Sequence, residues 1–156
     1  MKIAQYITPA RVKLGLDGDT KEEVIEELVS LLADTHKVTD ADAVYDAVMN
    51  RERQGSTGLE KGVAIPHAKS DAVKKLSVVL GISRDGVDFG SRDGRNAHLF
   101  FLMVAPTSES GPHVQAIAKI VKMIKLDKFI KKLVDAKSPD EVVEAISRVE
   151  NGEDMG

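Results

Sequence analysis

The segment TGLEKGVAIPHAK, Thr57 to Lys69, delivers one histidine, His67, behind a proline and among glycine-punctuated apolar residues. An imidazole loses its proton near pH ~6.5, so at neutral pH it offers a free lone pair and can serve as base, metal ligand or nucleophile. Ser56 and Thr57 lie close by in sequence, so a histidine-assisted hydrolase is one chemical option, although no separate nucleophile motif supports it. The plainest reading of a histidine after Ile-Pro is a loop residue bonded to backbone. His98, at the start of an apolar run, reads as structural, and His36 as an exposed helix terminus.

Several other chemistries are excluded by composition. Cysteine is absent from the 156 residues, which removes disulfides, thiolate catalysis and zinc–thiolate sites together. Four dispersed histidines make no metal-ligand cluster, and no nucleotide-binding glycine loop or cofactor motif occurs, so no metal and no cofactor are expected. A formal charge of −3, with 22 basic and 25 acidic residues scattered along the chain, offers no basic field for nucleic acid. No run approaches the ~18 apolar residues of a membrane span, and MKIAQYITPARVKL lacks a long apolar core with a cleavage site. A soluble cytoplasmic protein without membrane insertion is expected.

The elements that must position His67 carry their own signals. Thr20 and Glu23 form a capping box for a helix through about Asp34, with Val24, Ile25, Leu28, Leu31 and Leu32 on its buried face. Thr39 with Asp42 opens a second helix that Gly55 ends, which places Arg51 in its last turn. The runs LSVVLGI (76–82) and HLFFLMVA (98–105) suit strands buried on both faces. Between them Asp85-Gly86 marks a turn, residues 86–90 a short edge strand, and Gly62 to Ile65 is a further strand candidate. Pro112 reads as the first residue of a helix running to Ile124, with His113 in its first turn. Asp127 caps the next helix, and Ser138 with Glu141 forms a second capping box. The lysine-rich stretch 119–132 alternates with apolar residues, as a solvated helix face does. One domain over 1–150 and a flexible tail over 151–156 are expected, built as a layered α/β unit.

The motif TGLEKGVAIPHA resembles the phosphorylation-site signature of the fructose/mannitol type of enzyme IIA in the sugar phosphotransferase system (PTS), a family that includes the nitrogen-regulatory IIA proteins. The pair Arg51-Glu52, the strand HLFFLMVAP and the helix-opening His113 occur in the matching order. The resemblance implies a mixed β-sheet of about five strands flanked by helices on both faces. It also implies that His67 takes a phosphoryl group from the carrier protein HPr and passes it to an enzyme IIB, both as separate partners. A P–N bond on imidazole is labile, so histidine suits relay, whereas a serine or threonine phosphoester would persist.

Phosphoryl transfer has a loose transition state with charge spread over the equatorial oxygens, so the protein mainly positions groups and stabilises that charge. His113 at a helix start would then be neutral and donate an N–H toward the phosphoryl group or orient His67. Arg51 would present its guanidinium fork to the oxygens, and Thr57 its hydroxyl. The family more often has a small residue at the position of Glu60, so this carboxylate must point away or the loop must differ. The alternative within the same resemblance is a regulatory module, in which phosphorylation of His67 controls binding to a non-sugar partner.

Overall fold

Two apolar runs set the centre of the fold, and everything else packs on their two faces. The computed structural model describes residues 1–153. In chain order the elements are β1 (Val12–Leu14), α1 (Lys21–Thr35), α2 (Ala41–Arg53), β2 (Val63–Ala64), β3 (His67–Lys69), β4 (Ser77–Val87), β5 (Ala97–Ala105), α3 (Ser110–Met123), α4 (Asp127–Val134) and α5 (Pro139–Glu150). The sheet runs β1-β4-β5-β2, with β3 also paired to β5. The β4–β5 pair is antiparallel and the other strand pairs are parallel, so the sheet is mixed.

Period-two alternation along β4 and β5 divides the core. Val78, Leu80 and Ile82 of β4 and Leu99, Phe101 and Met103 of β5 face α3, α4 and α5. Val79 of β4 and Phe100, Leu102 and Val104 of β5 face α1 and α2. Helices therefore cover both faces, which is why these strands read as continuous apolar runs. Gly81 keeps α1 close: a Cβ there would lie 2.7 Å from Leu28 Cδ2. The lysines at 122, 125, 128, 131 and 132 are exposed while Ile120, Ile124, Phe129 and Ile130 are buried. No helix among the described residues is long and apolar enough to cross a membrane.

Local signals of short range come through intact. The Thr20 hydroxyl accepts the Glu23 amide, and the Ser138 hydroxyl accepts that of Glu141. Several boundaries differ from the sequence reading. Asp40, not Thr39, caps α2 by accepting the Ala43 amide, while the Thr39 hydroxyl donates to Ala72. Residues 86 and 87 extend β4 through a register shift instead of starting an edge strand, and the Gly86 amide turns to the Ser83 hydroxyl. Helix α3 begins at Ser110, two residues before Pro112, and Asp127 is the first helical residue of α4 with Leu126 at its cap position. His36 is half-buried, not exposed. Its Nδ1 lies 2.9 Å from the Thr35 hydroxyl, and burial, reinforced by Arg11, pushes its pKa down to about 4.

Of the tail, residues 154–156 lie outside the described residues. Asn151 and Gly152 fold back onto the Ser147 and Val149 carbonyls, and Glu153 pairs with Arg148 at 3.1 Å.

Candidate functional site

His67 begins β3, where it pairs with Met103 of β5. Strand β2 ends at Ala64, and the break between these edge strands is made by Ile65 and Pro66. Proline has no N–H for a ladder, although the Pro66 carbonyl still accepts the Met103 amide at 3.1 Å. Ile65 is turned out of the ladder on both sides. Its amide donates to the Thr57 carbonyl at 3.0 Å, and its carbonyl lies 2.8 Å from His67 Nδ1. A carbonyl oxygen can only accept, so Nδ1 carries the proton and the lone pair of the neutral ring sits on Nε2. Nε2 makes no hydrogen bond within the described residues. Burial lowers the His67 pKa, with Arg51 adding to the shift and the Ile65 bond and Glu52 opposing it, so the ring is neutral at pH 7.

His113 meets His67 edge to face, with ring centroids 5.4 Å apart and planes at 70°. It is the fourth residue of α3 and only 4% exposed. Its Nδ1 is buried without a hydrogen-bond partner. Burial pushes its pKa down to about 4, and His67 once protonated, with the Lys69 ammonium, acts in the same direction. A buried polar atom left unpaired costs about 1–3 kcal/mol, a cost that an incoming group can relieve.

Arg51 sits in the last turn of α2, where one guanidinium N–H donates to the Gly55 carbonyl at 2.8 Å. Its positive charge acts to lower the His67 pKa. Thr57 departs from the sequence reading. It is buried, and the hydroxyl offered to phosphate donates instead to the Glu52 carboxylate, which also accepts the Thr57 amide at 3.2 and 3.3 Å. Ser56 likewise gives its hydroxyl proton to the Phe89 carbonyl. Both hydroxyl protons are given to acceptors other than His67, which leaves the hydrolase option without an activated nucleophile. Glu60 is exposed in the turn between the two short arms 57–59 and 63–65.

The sequence offered Gly62 to Ile65 as a strand, but not its pairing with residues 57–59. The Leu59 amide donates to Val63 at 2.8 Å and Gly58 bridges Ala64, forming a small antiparallel hairpin that carries the Ile65 carbonyl. Gly58 is required there because a Cβ would lie 2.4 Å from Ser91 Oγ. Glu52 is the other group that sequence reasoning left without a role. Its carboxylate is buried against Lys21 Nζ at 3.0 Å. The available signal was its place beside Arg51, at the helix end that precedes the motif. Among the described residues no cluster of three or more His, Cys, Asp or Glu could hold a metal ion.

With this geometry in view, the chain can be set beside known proteins. Residues 5–149 match the family described as phosphoenolpyruvate-dependent sugar phosphotransferase system, EIIA 2. The chain is 36% identical over 148 residues to the PTS system fructose-specific EIIABC component of Bacillus subtilis, covering 95% of this chain but only 23% of that protein. It is 35% identical to the fructose-specific EIIA component of Haloferax volcanii, covering 92% and 94% of the two chains. Among solved structures, nitrogen regulatory protein IIA-Ntr from Neisseria meningitidis superposes with a TM-score of 0.85 at 26% identity, covering 92% of this chain and 98% of that one. The IIA mannitol protein of Escherichia coli, solved in complex with phosphorylated enzyme IIB mannitol, gives 0.78 at 27% identity, with 90% and 96% covered. These matches span nearly the whole domain, from the N-terminal turn to the last helix, and the chain belongs to the EIIA 2 family of the sugar phosphotransferase system.

Proposed function

We propose that this chain is a phosphoryl relay that accepts phosphate on His67 Nε2 from phospho-HPr and passes it to an enzyme IIB. Members of this family are phosphotransfer relay components, and the observation that carries the finer reading is the hydrogen bond from His67 Nδ1 to Ile65. That bond leaves the lone pair on Nε2, the nitrogen free to attack. As the Nε2–P bond forms, the P–N bond to the donor imidazole breaks and the donor nitrogen keeps the electron pair. The proton on Nδ1 stays in place, so His67 becomes a phosphorylated imidazolium whose charge the Ile65 carbonyl helps to hold. In the second step the Nε2–P bond breaks as the acceptor group of enzyme IIB, a cysteine thiolate in the sugar branch, forms its bond to phosphorus.

The surrounding groups match the charge that must be managed. His113 is neutral and already next to His67, so it does not repel the ring, and its Nδ1 has a hydrogen bond still to make. Arg51 supplies the positive charge, with guanidinium donors beyond the one given to Gly55. Thr57 acts through the Glu52 contact and not as a phosphate donor. The test is incubation with phosphoenolpyruvate, enzyme I and HPr, followed by mass spectrometry. One acid-labile phosphoryl group on the protein, absent from His67→Ala, is the expected result; an unlabelled, folded protein with an active HPr would refute the relay.

The likeness to IIA-Ntr supports a second reading, in which the same phosphorylation changes the grip on a non-sugar partner. Transfer onward to an enzyme IIB favours the sugar branch. Binding to a non-transport partner that differs between the two phosphorylation states favours regulation.

A further inference from the structure

We infer that Glu52 is a positioning residue for His67: its buried carboxylate fixes the Thr57 arm so that the Ile65 carbonyl holds Nδ1–H and presents Nε2. The catalytic consequence rests on the relay reading above, but the structural claim does not.

The carboxylate is deeply placed, with its side chain 1% exposed. Such a charge is tolerated only with close partners, and Glu52 has them in Lys21 Nζ, the Thr57 amide and the Thr57 hydroxyl. Lys21 is itself held, its ammonium 4.6 Å from the centre of the Phe89 ring. Core packing alone does not account for this cluster, because α2 already buries Val44, Val48 and Met49, and a buried ion pair adds little over apolar residues of similar shape. What the cluster does is tie the loop after α2 to one point.

From that point the bonds run in one direction toward the reacting ring. Thr57 N–H and O–H donate to Glu52, Ile65 N–H donates to the Thr57 carbonyl, and His67 Nδ1–H donates to the Ile65 carbonyl. Each link has a donor whose partner can only accept, so the set is satisfied in one tautomer of His67 alone. The negative charge of Glu52 also acts on His67 in the sense opposite to Arg51. Glu52 therefore favours the positive charge that the ring acquires on phosphorylation, while Arg51 faces the negative charge of the phosphoryl group.

The test uses the full chain labelled with 15N, with long-range 1H–15N spectra to read the tautomer of His67 and steady-state transfer from phospho-HPr to read kcat and KM. Glu52→Gln keeps the size of the side chain and removes its charge. It is expected to raise the fraction of Nε2–H tautomer and to lower kcat by about 10-fold or more, since a base held in the wrong tautomer is severely impaired. KM should stay within about twofold, because the contact surface for the donor is untouched. Thr57→Val retains the carboxylate and the amide bond, and is expected to give a smaller shift of both readouts in the same direction. An unchanged tautomer ratio in folded Glu52→Gln, or in Thr57→Val if the first variant does not fold, would overturn the inference. If the wild-type protein accepts no phosphate, the relay reading fails while the tautomer measurement still decides the role of Glu52.

Discussion

The β4–β5 pair and the broken edge formed by β2 and β3 belong to one sheet but solve the same backbone problem in opposite ways. Over Ser77 to Ile82 of β4 and Leu99 to Val104 of β5 the amides and carbonyls satisfy one another in a regular ladder, and the side chains apart from Ser77 are apolar and buried. At the edge, Ile65 and Pro66 interrupt the ladder, and the freed groups are taken by His67, Thr57 and, through Thr57, Glu52. Among the described residues, three of the five buried polar ones, Glu52, Thr57 and His113, lie at this edge. Regularity gives the domain its core, and the interruption gives a histidine one fixed tautomer. The proposed phosphoryl acceptor is thus built where the sheet stops being self-sufficient.

If the two regions carry separate duties, damage to each should register in a different measurement. Phe101 is fully buried in the β5 core, so Phe101→Ala should cost about 3–5 kcal/mol in urea unfolding, with phosphoryl acceptance preserved in the folded fraction. His113→Ala should do the reverse. Loss of a group that stabilises developing charge typically slows chemistry about 10²–10³-fold, and we expect transfer from phospho-HPr to fall by an amount of this order. Unchanged rates of phosphorylation and onward transfer in that variant would remove His113 from the site.

Gly81→Ala tests the close approach of α1 to β4 on the face away from His113. The added methyl meets Leu28 and Leu16 within 3 Å, so a destabilisation of about 1–3 kcal/mol is expected by thermal or urea unfolding. Thr20→Ala, which removes the cap of α1, should cost about 1 kcal/mol and leave the transfer rate unaltered. A separate effect concerns pH. His36 and His113 have pKa values pushed down to about 4, so the unfolded chain binds protons first as pH falls below ~6.5. Stability from these two residues is complete above that pH and is lost progressively as pH falls toward 4. A His36→Gln, His113→Gln double variant should show a flatter stability profile over this window.

Much of the core was legible because its signals are local or periodic. The capping boxes at Thr20 and Ser138 need only residues three apart, and the apolar runs of β4 and β5 announce strands covered on both faces. His67 and His113 were found as chemical candidates, but their 5.4 Å approach depends on α3 crossing the end of β5. The cap of α2 was misread because Thr39 and Asp40 are both competent caps, and the choice depends on Ala72, distant in sequence, which occupies the Thr39 hydroxyl. The hairpin of 57–59 with 63–65 has too few residues to show a period. Thr57 looked like a phosphate ligand because a threonine beside a glycine shows no sign of a carboxylate folded back from the preceding helix. His36 looked exposed for a similar reason, since the groups that bury it are remote in the chain.

The central claim is that the break in the edge strand leaves Nε2 of His67 as the phosphoryl acceptor. Its most direct test is a long-range 1H–15N spectrum of the uniformly 15N-labelled protein before and after phosphorylation by phosphoenolpyruvate, enzyme I and HPr. The Nε2 resonance of His67 is expected to move on phosphorylation while Nδ1 retains its proton. A phosphoryl group found on Nδ1, or on a residue other than His67, would contradict it.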